Sequence, residues 1–370
     1  MTISGQPTEK AREALLAAAL LRIGNDTKGS RLFKDLVWPG VQSWADAERA
    51  PALLAERLGW LPQSARSAVE EAFAGAVRAR QRAESLGARL VTFADEGYPE
   101  GLRHLPDPPI ALWVSGQEGC LDQAAVAVVG SRNASPIGLE TARRLAQGLA
   151  AAGLVVTSGL ARGVDGAAHR GALQGGGLTV AVLGCGLDVA YPRQHRQLAV
   201  DVRAQGCLVS ELPPGTPPLP KHFPLRNRII SGLSRAVVVV EASEHSGSLI
   251  TARMALEQGR DVLAVPGNVV SGCHRGCHAL IKDGARLVET VEDILEEIRW
   301  VPAPGSASKA PNHSQDNKLL ASVRAGEVFT VEDLSERNGR PASEIFAELG
   351  RLELEGLIAR NGLGTFIRLS

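Results

Sequence analysis

The stretch GLVVTSGLARGVDGAAHRGALQGG, residues 153–176, decides the fold. Leu154 to Ser158 is a short, largely β-branched run, the pattern of a strand covered on both faces. Glycines at 159 and 163 allow a tight turn. The segment GVDGAAHRGALQGG, 163–176, then follows helical spacing. Working outward, the same kind of run recurs as AAVAVVG (124–130), TVAVLGCG (179–186), GCLVSE (206–211), AVVVVEA (236–242), DVLAVPG (261–267) and ARLVE (285–289). Helical segments separate several of them: SPIGLETARRLAQGLAAAG, RQHRQLAVDVRAQG and SLITARMALEQGR. Alternating strand and helix units of this length predict a doubly wound parallel sheet, an extended Rossmann-like α/β fold between about 122 and 299.

The flanks read differently. Residues 1–85 carry the short helical patterns EKAREALLAAALLRIG, ALLAERLG and SARSAVEEAFAGAVRARQRAESLG, a small helical (SAM-like) N-terminal domain. RIGNDTKGS within it matches the glycine hairpin of helical DNA-binding modules, but one glycine turn alone does not establish that role, and the segment reads rather as a small interaction or packing domain. The central domain is expected over 86–300, entered by a strand pair, ARLVTF and IALWVSG. Residues 301–315, rich in Pro, Ser and Ala, read as a linker. Residues 316–370 read as helix, strand, helix, turn, helix and a hairpin at NGLG, the order of a winged helix.

Charge narrows the function. The chain has 40 Lys+Arg against 40 Asp+Glu, so any polyanion site must be a local patch rather than a global field. Five cysteines, at 120, 185, 207, 273 and 277, lack the spacing of a secreted scaffold and point to a reducing compartment. The N-terminus lacks the basic and apolar regions of a signal peptide. No apolar run approaches the ~20 residues of a membrane span. A cytoplasmic protein without a membrane partner is expected.

Where strands end, glycines cluster. GSR (130–132), GLARGVD (159–165), GCGLD (184–188) and SGS (246–248) follow four of the strand runs. Ligands of open α/β sheets sit beyond the strand carboxyl ends, where backbone N–H groups and helix N-termini favour anions. The dinucleotide pattern G-x-G-x-x-G is not met and GxxxxGK[ST] is absent. HFPLRNRIISGLS (222–234) supplies the missing character: Lys221, Arg226, Arg228 and Arg235 lie between Glu211 and Glu241 with no acid among them. Read as a loop at the sheet edge, it offers cations for phosphates and Phe223 for a base, the combination of a single-strand binder.

These strings in this order, GSR, SGLARGVDGAAH, GCGLDVAYP, ELPPGTPPLPKHFPLRNRIISGLS, VVEASEHSGSLITA and VPGNV…GCHALIKDGA, resemble the DNA-processing protein A (DprA, also called Smf) family. The resemblance covers the central domain and YPEGLRHLPDPPIALWVSG before it, and less specifically both flanks. It implies an extended Rossmann fold that pairs into dimers and binds single-stranded DNA in a basic pocket. It also implies protection of incoming DNA and loading of the RecA recombinase during natural transformation and recombination, with a single-stranded DNA-binding protein as a further candidate partner. Carried over as DNA-binding candidates are Arg132, Lys221, Phe223, Arg226, Asn227 and Arg228, with Gly130 and Ser131 as backbone donors, and Gly247 and Ser248 beside them. No catalytic residue, metal or cofactor is implied.

Three further expectations complete the reading. CHRGCH (273–278) departs from the family's serine, arginine and asparagine-like residues. Its four soft ligand types lie too close together to surround one ion, so Cys273 and Cys277 are expected on one helical face as packing or exposed residues. The alternative function is a nucleotide or phosphoribosyl hydrolase related to lysine-decarboxylase-like proteins. Their glutamate, three residues past a loop threonine, is replaced here by Met254 after Thr251, and Asp165, Asp188 and Glu241 lie at separate strand ends. Finally, a DNA-reading helix should be basic, yet PASEIFAELGRLELEG sets Glu344, Glu348, Glu353 and Glu355 against Arg351. The winged helix is therefore expected to be a protein-interaction or regulatory module, with its Arg360–Gly364 hairpin able to touch a backbone.

Overall fold

In a computed structural model, the chain is described over residues 63–93, 95–117, 119–302, 319–324, 326–354, 357–362 and 364–369. The expected helices EKAREALLAAALLRIG and ALLAERLG, the RIGNDTKGS turn and most of the linker lie outside the described residues. Helix α1 (Gln63–Ser85) leads into β1 (Arg89–Thr92). Arg82 near its end donates Nε to Asp188 Oδ2 at 2.8 Å.

A nine-stranded sheet follows. Its strands are β1, β2 (Ala111–Gly116), β3 (Ala125–Val129), β4 (Val155–Ser158), β5 (Thr179–Val182), β6 (Cys207–Ser210), β7 (Ala236–Val239), β8 (Asp261–Ala264) and β9 (Arg286–Leu287). The order across the sheet is β1-β2-β6-β5-β4-β3-β7-β8-β9. From β6 to β9 every pairing is parallel, while the entry strand β1 pairs antiparallel with β2, and β2 antiparallel with β6. Each of the seven strand runs read from the sequence is a strand. The helices are α2 (Glu100–Arg103), α3 (Pro136–Ala151), α4 (Val164–Gln174), α5 (Arg196–Gln205), α6 (His222–Gly232), α7 (Ser248–Glu257), α8 (Arg275–Lys282) and α9 (Val291–Glu297).

Two-residue periodicity divides the core. Val126, Val128 and Val238 pack with Leu145, Leu149 and Ala168 of α3 and α4 on one face. Val129, Val237 and Val239 pack with Ile229, Ile230, Ala252 and Cys277 of α6, α7 and α8 on the other. The chain leaves β3 toward β4, β5 and β6, then returns to lay β7 on the opposite side of β3. That reversal makes β3 and β7 the switch point, where an open α/β sheet presents its crevice.

Two sequence readings are corrected here. HFPLRNR is not a loop at the sheet edge: it opens α6, which packs on the middle of the sheet. Pro224 lies in the first turn, where its missing N–H costs nothing, and the following Leu225–Ile230 continue the helix. Cys273 and Cys277 do not share a helical face: Cys273 is exposed before α8 begins, and Cys277 is buried within it. The C-terminal unit holds β10 (Val328–Thr330), α10 (Val331–Asn338), α11 (Ala342–Leu354), β11 (Ile358–Gly362) and β12 (Thr365–Arg368) in the sheet order β10-β12-β11, a winged helix. The helix expected before β10 is a single 3₁₀ turn, Leu320–Ser322, among the described residues.

Candidate nucleic-acid interface

Beyond the carboxyl ends of β3, β4 and β7 lies a cavity of about 520 Å³. Eight of the ten residues singled out from the sequence line it: Gly130, Ser131, Arg132, Phe223, Arg226, Asn227, Gly247 and Ser248. Lys221 and Arg228 do not.

The loops are built by interlocking. Ser131 donates its backbone N–H to Glu241 O at 2.6 Å and accepts the Val164 N–H at 3.1 Å, which ties the turns after β3, β4 and β7 together. Gly130 has to be glycine, because a Cβ there would stand 2.6 Å from Val164 Cγ2. Gly163, at φ +74°, would press a Cβ to within 2.1 Å of Ser131 O. The glycine turns thus serve close approach of chain to chain as well as access for a ligand.

The three helix N-termini facing this region are filled differently. At α3 the buried carboxylate of Glu241 accepts the Ser135 N–H at 3.1 Å and the Ser135 hydroxyl at 2.6 Å, so an internal anion already meets the positive helix end. At α4 the Asp165 carboxylate sits in the first turn and accepts the Ala161 N–H at 3.4 Å. At α7 only the neutral Ser246 hydroxyl is present, 2.7 Å from Ser248 Oγ and 3.4 Å from Ser248 N. A Cβ at Gly247 would meet nothing within 4 Å. Of the three, α7 offers its dipole to an incoming anion.

The arginines also divide. Arg132 is exposed at the rim, its guanidinium 5.2 Å from the Phe223 ring centroid, with no carboxylate partner among the described residues. Arg226 is buried in the floor. Its Nη1 donates to Gly159 O at 2.7 Å and to Val182 O, carbonyls at the ends of β4 and β5, and its Nε donates to Asn227 Oδ1 at 3.0 Å. Its Nη2 stands 4.0 Å from Asp165 Oδ2. Arg228 faces away from the cavity. Its Nη2 holds both oxygens of Glu211, at 2.7 and 2.8 Å, and its Nε points at Asp107. The expectation that Arg228 faces phosphate is therefore corrected: a guanidinium held by two carboxylates has little left for a third anion. Lys221 is exposed at the start of α6, outside the cavity lining.

Phe223 is half-buried over Gly184, where a Cβ would come within 2.9 Å of the ring. Tyr191 lies beside it, with centroids 5.4 Å apart and planes tilted by 43°, and is 41% exposed. Sequence reading missed Tyr191, although it stands in the quoted GCGLDVAYP. The signal was an aromatic just past a strand-end glycine turn. It also missed Asn133 in the lining, since a small polar residue in a turn carries no distinctive pattern.

Carboxylates in hydrolytic arrangement are not assembled here. Asp165 is the one acid lining the cavity among the described residues. Glu241 is committed to Ser135, and Asp188 accepts from Gly215 N and Arg82. CHRGCH likewise contributes no cluster, as no three His, Cys, Asp or Glu side chains converge on a metal position among the described residues. His274 Nε2 stands 4.0 Å from Glu241 Oε2, and His278 Nε2 meets Gly267 O at 3.1 Å. No helix among the described residues is long and apolar enough to cross a membrane.

Comparison with known proteins agrees with this architecture. Residues 89–299 match DNA recombination-mediator protein A, and residues 302–362 match the DprA winged helix domain. Protein Smf of Escherichia coli is 46% identical over 291 residues, covering 76% of this chain and 77% of that protein. DNA processing protein DprA of Streptococcus pneumoniae is 47% identical over 206 residues, covering 56% and 73%. The X-ray structure of the Streptococcus pneumoniae DprA is similar at a TM-score of 0.60 and 38% identity, over 80% of this chain and 99% of that one. The DprA of Helicobacter pylori, whose structure is described for its single-stranded DNA binding mode, is similar at 0.52 and 28%, over 57% and 95%. Matched over its whole central sheet and its winged helix, the chain belongs to the DNA recombination-mediator protein A (DprA/Smf) family.

Proposed function

We propose that the protein binds single-stranded DNA in the cavity between the ends of β3 and β7. The observation that carries this reading is the convergence there of Arg132, which makes no salt bridge among the described residues, the open N-terminus of α7 at Gly247–Ser248, and the Phe223–Tyr191 pair. Phosphates meet Arg132, the Ser131 hydroxyl and the α7 end; the expected Ser131 backbone donor is corrected, because its N–H is already given to Glu241 O. Bases meet the aromatic rings. Arg132 covers the Phe223 ring, so a base that stacks there displaces it toward the neighbouring phosphate. Arg226 and Asn227 form the charged floor, Lys221 a flanking cation, and Arg228 a structural residue.

In this reading the central domain, 86–300, holds the strand without chemistry and works in the cytoplasm as a homodimer. It protects incoming DNA and hands it to the RecA recombinase in transformation and recombination. The relatives named as DNA processing proteins and the family's recombination-mediator description support that role. The 316–370 unit serves contacts with proteins, since Arg340 and Arg351 on and beside its second helix are paired with Glu344 and Glu348. The hydrolase alternative lacks a free acid and base pair in the cavity.

The test is a titration of matched single- and double-stranded oligonucleotides across salt concentration. Three engaged phosphates predict that log K falls with log salt at a slope of about −2 for the single strand. Duplex is expected to bind more weakly, because its stacked bases cannot reach the rings. Equal affinity for both forms, or turnover of a free nucleotide, would overturn the proposal.

A further inference from the structure

One group in the cavity runs against an anion-binding role. Asp165 is the acid in the lining, it is 6% exposed, and it stands among the groups assigned to phosphate. Its ionised form is thinly supported. It accepts a long hydrogen bond, 3.4 Å from Ala161 N, with a weaker backbone contact at Gly159, and its nearest cation, Arg226 Nη2, is 4.0 Å away. A buried carboxylate normally collects shorter and more numerous donors. Arg226 is equally confined: its Nη1 and Nε are spent on Gly159, Val182 and Asn227, which leaves Nη2 facing the cavity and Asp165.

The charged and titratable groups near the pair fit a single balance, with Arg170 of α4 acting on His169 and the buried Cys185 thiol facing Arg226. From α6 comes Arg226, from the turn after β3 comes Arg132, and from the turn after β4 comes exposed Arg162. On α4 itself His169 lies one turn further on, buried and held neutral by that burial, with its pKa lowered to about 3. His195, from the 3₁₀ turn before α5, bonds Leu160 O at 3.0 Å. The loop before α7 adds Ser246 and Ser248, which are neutral. Burial raises the Asp165 carboxyl above the usual carboxylate range, while Arg226 and Arg132 pull it down. An arriving phosphate takes a share of both cations and adds a negative charge of its own, which removes the interactions that keep Asp165 ionised.

We propose that Asp165 is the internal counter-ion of Arg226 in the DNA-free protein. When a strand phosphate occupies the site, Asp165 gives up that place by taking one proton from solvent onto Oδ2, so binding is coupled to proton uptake. The protonated acid then donates to the phosphate oxygen it would otherwise repel. This rests on the DNA-binding reading above and adds to it a specific residue and a direction with pH.

The experiment uses the full chain and an oligothymidylate without terminal phosphates, whose own charge does not change between about pH 5 and 8, below the range where thymine N3–H ionises. Calorimetry at one pH in two buffers of different ionisation enthalpy is expected to report uptake of up to one proton per occupied cavity. Affinity is expected to rise by up to tenfold per unit fall in pH within the window between the free and bound carboxyl pKa values. Asp165→Asn, close in shape, is expected to abolish that uptake and to bind more tightly than wild type at pH 8. Binding with no buffer dependence in the wild type, or the same uptake in Asp165→Asn, overturns the inference and leaves the binding site standing. Absence of single-strand binding at every pH overturns the binding reading itself. If the variant does not fold, the two-buffer measurement on the wild type still decides.

Discussion

The cavity and the second helix of the winged unit are both placed where DNA-binding proteins meet nucleic acid, and they treat their cations in opposite ways. In the winged unit Arg340 lies 2.7 Å from Glu348 and 3.5 Å from Glu344, Arg337 lies 2.7 Å from Glu327, and Arg360 lies 3.2 Å from Glu353. At the cavity Arg132 makes no salt bridge among the described residues, with Asp165 acting on it only at longer range, and the α7 N-terminus is met by a hydroxyl rather than an acid. A chain with equal numbers of acids and bases can still present a phosphate site if one region leaves its cations uncompensated. Pairing elsewhere keeps the remaining surface from competing.

The sharpest test within the cavity is Arg226→Met. It leaves Asp165 buried without its cation and strips the strand-end carbonyls of a donor, at an expected cost of about 3–5 kcal/mol in denaturant unfolding. A loss below about 1 kcal/mol would mean that Arg226 is not part of the floor's support. Arg228→Ala follows at about 1.5–3 kcal/mol, from the lost charge-assisted bonds to Glu211, with the salt slope of DNA binding unchanged. A flattened slope would return Arg228 to the phosphate-binding set.

Acid sensitivity probes the same floor. His169 has its folded pKa lowered to about 3 against 6.5, because burial opposes its charge. Its stabilising contribution is therefore present above pH 6.5 and is lost as pH falls from 6.5 toward 3, on the order of a few kcal/mol. His169→Gln is expected to shallow the fall in unfolding free energy between about pH 6.5 and 4. An unchanged pH profile would show that His169 does not titrate with unfolding.

Smaller effects separate bases from phosphates. Phe223→Ala is expected to weaken single-strand affinity by about 1–3 kcal/mol with the salt slope unchanged. Arg132→Ala is expected to reduce the slope by about 0.7, because one phosphate is no longer neutralised. It should do so alike for all sequences, since the sugar-phosphate backbone carries no base information. The smallest change belongs to the winged unit: a chain ending at Pro302 should bind single strands as the full chain does. Loss of binding by a folded truncated protein would reverse the comparison between the two regions.

How far the sequence carried the reading depended on the kind of signal. Continuous β-branched runs such as AVVVV have few alternatives in a soluble chain, so the strands and the glycine turns behind them were legible. Helix α6 was not, because Pro217, Pro218, Pro220 and Pro224 surround its start and mimic a loop; only packing of Ile229 and Ile230 on the sheet makes it a helix. The family resemblance supplied the set of candidate site residues but not their orientations.

Residue order by itself determined the parallel sheet, the crevice at its strand ends, the winged helix and the neighbourhood of the site. These follow from apolar periodicity and from glycine at close-packed turns, which are local properties. The tertiary structure alone decided what each cation faces. Arg226 and Arg228 are equivalent in the string RNR, yet residues two apart on a helix point about 200° apart. One therefore reaches the strand-end carbonyls and Asp165, and the other reaches Glu211, brought from 17 positions away.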